Sequence, residues 1–407
     1  MIWREQHSIS RLLQTMLLLV PLILFISIYK GMTALFILGV LVPFLYWGTL
    51  AFFKSTKNAL YIMNEKRTYR LFPGDTETIT LDIGYFGKWP SLNGHLSVSY
   101  RDVIKDVNNE NNALGDKKLQ TFERTISTGS GQQQRCTFHI KGSRRGVTRL
   151  NNISLQLRDM FSFGIQYLEY DKLYQTEIVV YPEPLPVFGL EKLHQAGYGD
   201  YHTSHSLYED VTFPSGAREY KTGDSFGRIH WKATARTGDL QTKVYEKTTL
   251  FRWTFLFTLP AGQHEKNSMK AEDLEKQISY LAFMCRFASH KNIPFELFIN
   301  IRVPGPGQII RMEPGEGKEH LVQVLETLSR IDISSMATSP ESMLAKVDGH
   351  LLSSQPFVII SGAELSGTAC YAYMQRWKKR GGNVYQVAQT GSEAFLLSYF
   401  AERRISS

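Results

Sequence analysis

From Leu12 to Tyr29 only Gln14, Thr15 and Ser27 break an apolar run, and from Met32 to Phe53 only Thr33 and Thr49 do so. At about 1.5 Å of rise per residue, a helix over either run reaches across most or all of a hydrocarbon layer about 30 Å thick. Only Lys30 and Gly31 separate the runs, so the helices must return antiparallel and both ends of the hairpin share one side. Arg4 and Arg11 precede it, while Lys54, Lys57, Lys66, Arg67 and Arg70 follow it. That excess of Lys and Arg predicts a multi-pass plasma-membrane protein with cytoplasmic N- and C-termini. A secretory signal peptide is the competing reading of the first run, but no A-x-A-like cleavage site precedes the second. Neither span carries an acidic, basic or histidine side chain of the kind that marks a proton or ion path. Tyr46 and Trp47 are expected as interfacial anchors near the cytoplasmic end of the second span.

The hairpin, residues 1–60, leaves most of the 407 residues for globular structure, and 43% apolar content is ample for packed cores. The formal net charge of +8 is scattered along the chain, not gathered in a block. Cys136, Cys285 and Cys370 have no short spacing, so buried reduced thiols are expected, not a disulfide framework or thiolate zinc site. Residues 66–181 read as a small β-sandwich. In "ETITLDI", Ile79, Leu81 and Ile83 fall on one face and Thr78, Thr80 and Asp82 on the other, and similar short runs recur between turn clusters. Asn108 to Asp116 reads as a polar hairpin loop. Residues 182–215 read as an exposed linker, extended in "PEPLPVFG" and polar around His194, Asp200, His202 and His205. A metal reading of those histidines lacks a regular helix or a second ligand pair.

Beyond it, strands and helices alternate. "LFRWTFLFTL", Leu250 to Leu259, reads as a strand covered on both faces, and Leu274, Ile278, Leu281, Cys285 and Ala288 form one helical stripe. The strand "FELFINI", a Gly/Pro hairpin, two helices, the strand "PFVIIS", a further helix and the strand "VYQVAQ" follow. This order predicts an α/β, Rossmann-like domain with a mostly parallel sheet, without a dinucleotide fingerprint.

Between linker and sheet lies "GAREYKTGDSFGRIHWKATARTGDLQTKVYE", Gly216 to Glu246. Its "REYKTGD", "RIHWKATARTGDL" and "VYE" resemble the signature of the bacterial family called domain of unknown function 58 (DUF58), and "RRGVTRL" and "DMFSFG", Arg144 to Gly164, look like its upstream pattern. The resemblance implies a membrane hairpin and β-rich region ahead of a von Willebrand factor A-like domain, here residues 216–407 with the signature. It also implies association with a MoxR-type AAA+ ATPase, and often with a transglutaminase-like membrane protein, in assembly or maturation at the envelope. Two departures stand out. The family's "GDDxRRI"-like run here reads Gly223, Asp224, Ser225, Phe226, Gly227, Arg228 and Ile229, one acid and one base short. Where metal-binding members of the wider fold carry Asp-x-Ser-x-Ser, this chain reads Thr258, Leu259, Pro260, Ala261 and Gly262, so no Mg²⁺ or other metal site is expected.

Two roles fit the signature. Arg218, Glu219, Tyr220, Asp224, Arg228, His230, Trp231, Lys232, Arg236 and Glu246 can form an ion-paired clasp between the β-rich and A-like regions, with the Trp231 indole packed on the sheet or an Arg. The same residue types dominate interface hot spots, so they equally form a docking face for a partner protein. Nucleic acid is not the expected partner, because acids are interleaved with the bases and no recognised binding motif occurs. Nor does a catalytic motif: "GEGK", Gly315 to Lys318, lacks the flanking residues of a phosphate loop, and an Asp224–His230 acid–base pair has no nucleophile beside it. The expected function is thus a membrane-anchored interaction or scaffold protein without a cofactor; the alternative is an enzyme whose site lies at the carboxyl ends of the A-like strands.

Overall fold

The computed structural model describes residues 3–63, 65–108, 119–159, 161–199, 209–247, 252–261, 270–305, 309–332, 335–351, 356–365, 367–391 and 393–400. The chain divides into two units, Met1–Pro182 and Glu183–Ser407.

The first unit contains strand β1 (Trp3–Ile9), helices α1 (Arg11–Lys30) and α2 (Thr33–Ala59), and strands β2 (Leu60–Ile62), β3 (Thr68–Leu71), β4 (Thr76–Tyr85), β5 (Ser91–Arg101), β6 (Ile104–Asp106), β7 (Leu119–Gly129), β8 (Gln132–Gly142), β9 (Gly146–Arg149), β10 (Asn151–Arg158), β11 (Gly164–Tyr170) and β12 (Glu177–Val180). A five-stranded sheet runs β1-β11-β10-β5-β7, a four-stranded sheet β2-β4-β8-β6, and a three-stranded sheet β3-β12-β9. The alternation that marks β4 as a strand buries Ile79, Leu81 and Ile83, which share one core with Leu92, Leu96 and Val98 of β5. Phe122 of β7 and Phe138 of β8, with ring centroids 4.9 Å apart, join the five- and four-stranded sheets across that core.

α1 and α2 pair along their length and are mostly exposed: 17% and 22% of their most apolar windows are buried. By length and composition both can cross a membrane. The reversal between them needs Gly31 at φ 65°, a left-handed cap whose N–H, with that of Met32, bonds the Ser27 carbonyl. The strand-rich region was expected to begin at residue 66, yet β1 precedes the hairpin and β2 follows it at once. β1 pairs antiparallel with β11 and β2 with β4, so the chain leaves for the hairpin from one sheet and returns into the other. The end of α2 is also claimed by this unit, where Phe52, Phe53 and Thr56 are buried.

Asp159 bolts the root of the hairpin. It is buried at the end of β10, and its Oδ2 accepts from Thr49 Oγ1 of α2 at 3.0 Å while its Oδ1 accepts from Gly164 N at 2.8 Å. Gly164 allows the close approach: a Cβ there would stand 2.7 Å from Phe53 Cζ. Asp159 and Phe161–Gly164 of "DMFSFG" thus form the turn that receives the second helix.

The second unit contains β13 (Val187–Phe188), α3 (Leu190–Gly199), β14 (Glu209–Glu219), α4 (Trp231–Thr237), β15 (Gln241–Lys247), β16 (Trp253–Thr258), α5 (Ala271–His290), β17 (Phe295–Arg302), β18 (Ile309–Gly315), α6 (Gly317–Ser329), α7 (Pro340–His350), β19 (Phe357–Gly362), α8 (Thr368–Lys379), β20 (Asn383–Thr390) and β21 (Glu393–Ser398). Its seven-stranded sheet has the order β13-β21-β20-β19-β16-β17-β18. The four strands β20, β19, β16 and β17 are mutually parallel, and β21 and β18 close them antiparallel. The sheet is thus mixed, with helices on both faces. Trp253 stacks on Phe287 of α5 and Phe295 meets His320 of α6, while Leu256, Phe298, Val358 and Ile360 pack against Met343 and Leu344 of α7 and Met374 and Trp377 of α8. Asp348 of α7 joins the second helical layer by accepting from Arg376, Trp377 Nε1 and Arg380 of α8 at 2.7–2.9 Å.

Residues 182–215, read as an exposed linker, are ordered where they are described. β13 pairs parallel with β21, and Leu190 and Leu193 at the start of α3 are buried. Two apolar anchors three residues apart in a polar segment suffice to dock a short helix. Asp200, His202 and His205 lie outside the described residues, as do residues 109–116 of the expected polar loop.

Candidate functional site

The signature forms a small module of its own. β14 and β15 pair antiparallel from Glu219↔Gln241 to Glu209↔Lys247, and between them run a tight turn, one turn of 3₁₀ helix at Phe226–Arg228, and α4. Sequence chemistry explains each step. In "KTGD", Gly223 takes φ 111°, which lets Asp224 fold back so that its Oδ2 accepts from Lys221 N at 3.0 Å. Arg218 grips both carboxylate oxygens, at 2.8 and 2.7 Å, in the planar fork that only Arg offers. The Arg218 guanidinium, then the Lys221 N–H, hold the Asp224 carboxyl down at about 2. Tyr220 Oη donates to the Asp224 carbonyl, and Thr242 Oγ1 to its side chain from the facing strand.

His230 opens α4. Its Nδ1 accepts from Ala233 N at 3.2 Å as an N-cap, and its own N–H donates to Gln241 O at 2.7 Å, tying the helix start to β15. Thr234 Oγ1 accepts from Gln241 N at 3.0 Å, and Gly238 ends the helix in the left-handed conformation. Ile229 is the buried apolar plug beneath.

Of the ten residues singled out in the sequence, Arg218, Tyr220, Asp224 and His230 hold the module together. Glu219, Trp231, Lys232 and Arg236 are exposed, Arg228 is half-buried, and the side chain of Glu246 lies outside the described residues. The Trp231 indole was expected to pack on the sheet or an Arg; instead Trp231 is 68% exposed, because α4 is a single short helix whose inward side is already occupied by Ile229 and the Thr234 contact. Asp224 and His230 do not form an acid–base pair, since each is engaged with other partners. What the sequence reading missed is that Phe226, 73% exposed, and the exposed Leu240 and Val244 join Trp231 as an apolar set on the same module. The available signal was Phe226 itself, a large aromatic in the middle of a polar turn.

The carboxyl ends of the central strands are tied off from within. Asn300, fully buried on β17, accepts from Leu259 N at 2.7 Å and donates to Leu259 O at 2.8 Å and Thr338 O at 2.9 Å. Thr258 Oγ1 lies 2.6 Å from Ala363 O. Among the described residues no three His, Cys, Asp or Glu side chains gather as a metal-ligand group.

No family model matches the chain, and no curated protein matches it. Among solved structures it is similar to a PapD-like domain of human CEP192, at 15% identity over 31% of this chain and 84% of that one, with a TM-score of 0.20. It is also similar to a type I cohesin–dockerin complex of Clostridium thermocellum, at 10% identity over 30% and 99% of the chains and a TM-score of 0.20. A non-cellulosomal cohesin of Archaeoglobus fulgidus gives 12% identity over 34% and 97%, with a TM-score of 0.19. At these scores the likenesses establish no shared fold, and the architecture described above rests on its own strands.

Proposed function

We propose that this chain is a membrane-anchored, cytoplasm-facing interaction protein of the DUF58 kind, and that its second unit is a von Willebrand factor A-like module presenting the signature hairpin to a partner. The partner the resemblance implies is a MoxR-type AAA+ ATPase, with a transglutaminase-like membrane protein as a further associate in envelope assembly or maturation. The observation that carries the docking reading is the exposure of Trp231 and Phe226 beside Lys232 and Arg236 on a module whose internal bonds run through other residues. Exposed aromatics among cations are what an interface anchor looks like before its partner arrives. The cations favour an acidic partner surface. The Lys and Arg that flank the hairpin support the cytoplasmic side.

A pull-down from native membranes tests this. Trp231→Ala and Arg236→Ala, which leave the Arg218–Asp224 bond intact, are expected to lose the ATPase that the unaltered protein recovers. Full recovery by both folded variants removes this face from consideration.

A further inference from the structure

The turn that receives α2 has a second side. Asp159 and Phe161–Gly164 are fixed on three counts: Thr49 Oγ1 bonds Asp159 Oδ2, Ser10 N donates to Phe163 O at 2.8 Å, and Ser162 sits at φ 58° with its N–H on the Asp159 carbonyl. A non-glycine residue in the left-handed region is held there by its surroundings. The same turn carries Phe161, 57% exposed and stacked at 6.4 Å on the half-buried Phe163.

Its height along the hairpin can be read from α2. From Thr33 at the far headgroups to Lys54 at the near ones α2 runs about 32 Å at ~1.5 Å per residue, against a hydrocarbon core of about 30 Å. Thr49 lies about 7.5 Å inside Lys54 on that scale, just within the near boundary of the core. Trp47, two residues away and exposed, is the type of side chain that settles at this boundary. Past it, Phe52 and Phe53 are already covered by protein. A turn bonded to Thr49 therefore reaches the lipid interface. Exposed Arg11, next to the Ser10 that bonds Phe163, and exposed Arg158, next to Asp159, flank it.

We infer that the turn formed by Asp159 and Phe161–Gly164 is a lipid anchor, in which Phe161 enters the acyl-chain boundary of an anionic bilayer beside the hairpin while Arg11 and Arg158 meet phosphate headgroups. The occupant is the lipid surface because the turn continues the apolar belt of the two helices and carries the matching charge. The first unit is then held against the membrane at a third point in addition to its two helices. This rests on the hairpin crossing the bilayer.

Spin labels on single introduced cysteines in the full-length protein, reconstituted in vesicles containing phosphatidylglycerol, separate the two ideas. Leu18→Cys reports the span, Phe161→Cys the turn, and Lys141→Cys, paired with Thr76 at the opposite end of β4 from the hairpin, reports water. The expected result is high oxygen and low nickel-chelate accessibility at 18, an intermediate balance at 161, and free nickel access at 141. A label at 161 as wet as the one at 141, with 18 still lipid-facing, overturns the anchor and leaves the hairpin standing. A wet label at 18 overturns both. As a second readout, Phe161→Asp with Leu18→Cys is expected to leave the span in lipid and to raise protease access to the first unit in vesicles; unchanged access counts against the anchor.

Discussion

Trp3 Nε1 donates to the Leu60 carbonyl at 2.9 Å, joining the strand before the first apolar helix to the residue that follows the second. Lys57 and Glu5, 3.0 Å apart, repeat the link one turn away. Trp3 is buried, so its ring packs the two ends of the hairpin together and its N–H fixes their register. Trp3→Phe keeps most of the ring and strands one carbonyl, a loss of about 1 kcal/mol. Trp3→Ala opens a large cavity and is expected to cost about 3–5 kcal/mol. Thermal unfolding of the detergent-solubilised protein distinguishes the two, with the alanine variant several degrees lower.

The signature module depends on one carboxylate. Because the folded protein holds Asp224 at about 2, below the ordinary 3.8, its contribution is complete above about pH 4. That contribution then fades as the pH falls through the ordinary value toward 2. Amide exchange at Lys221, whose N–H bonds Asp224, should stay slow at pH 5 and lose protection near pH 2–3, after correction for intrinsic exchange. Asp224→Asn should expose the same amide at neutral pH. Arg218→Lys should not restore full protection, since a point-charge ammonium cannot take both oxygens in one plane.

Asn300 answers three backbone groups at once, so its truncation is expected to be costly. Asn300→Ala leaves Leu259 N–H and two carbonyls without their partner in a buried place, at about 3 kcal/mol or more. Asn300→Asp keeps the shape but turns an oxygen toward the Leu259 and Thr338 carbonyls, and should be worse than its size suggests. Denaturant midpoints for the two variants provide the comparison; equal stability of Asn300→Asp and the unaltered chain contradicts the assigned orientation of the amide.

All three cysteines are free and buried. Burial pushes the Cys136 and Cys370 thiols up to about 11, the latter helped by nearby Glu341, and drives Cys285 further in the same direction. At pH 8 a maleimide should leave the native protein unmodified by mass and add three labels only after unfolding.

What could be read ahead of the structure was whatever repeats along the chain. The two spans, the alternating strand β4 and the helical stripe of α5 are periodic patterns, and the elements lie where those patterns place them. β1 escaped because "WREQHSI" buries only its first and last residues: as an edge strand it has one neighbour, and its signal is pairing with β11, residues distant in sequence. β13 and α3 escaped because a two-residue strand and a polar helix with two buried leucines are defined by what they dock against. In the signature, "KTGD" with an upstream Arg was legible as a local knot of charge. The outward turn of Trp231 was not, since residue type alone cannot say whether an indole faces core or water.

The entry and exit strands of the hairpin also set how this protein can be cut. β1 covers the outer rim of the five-stranded sheet and β2 that of the four-stranded sheet. Trimming the first 65 residues to obtain a water-soluble fragment would bare the rims of β11 and β4 together, inviting them to pair with neighbouring molecules. Excision has to be made as a splice instead, keeping Trp3 to Ser10 and resuming at Thr49, two points already brought to the same turn by Phe163 and Asp159.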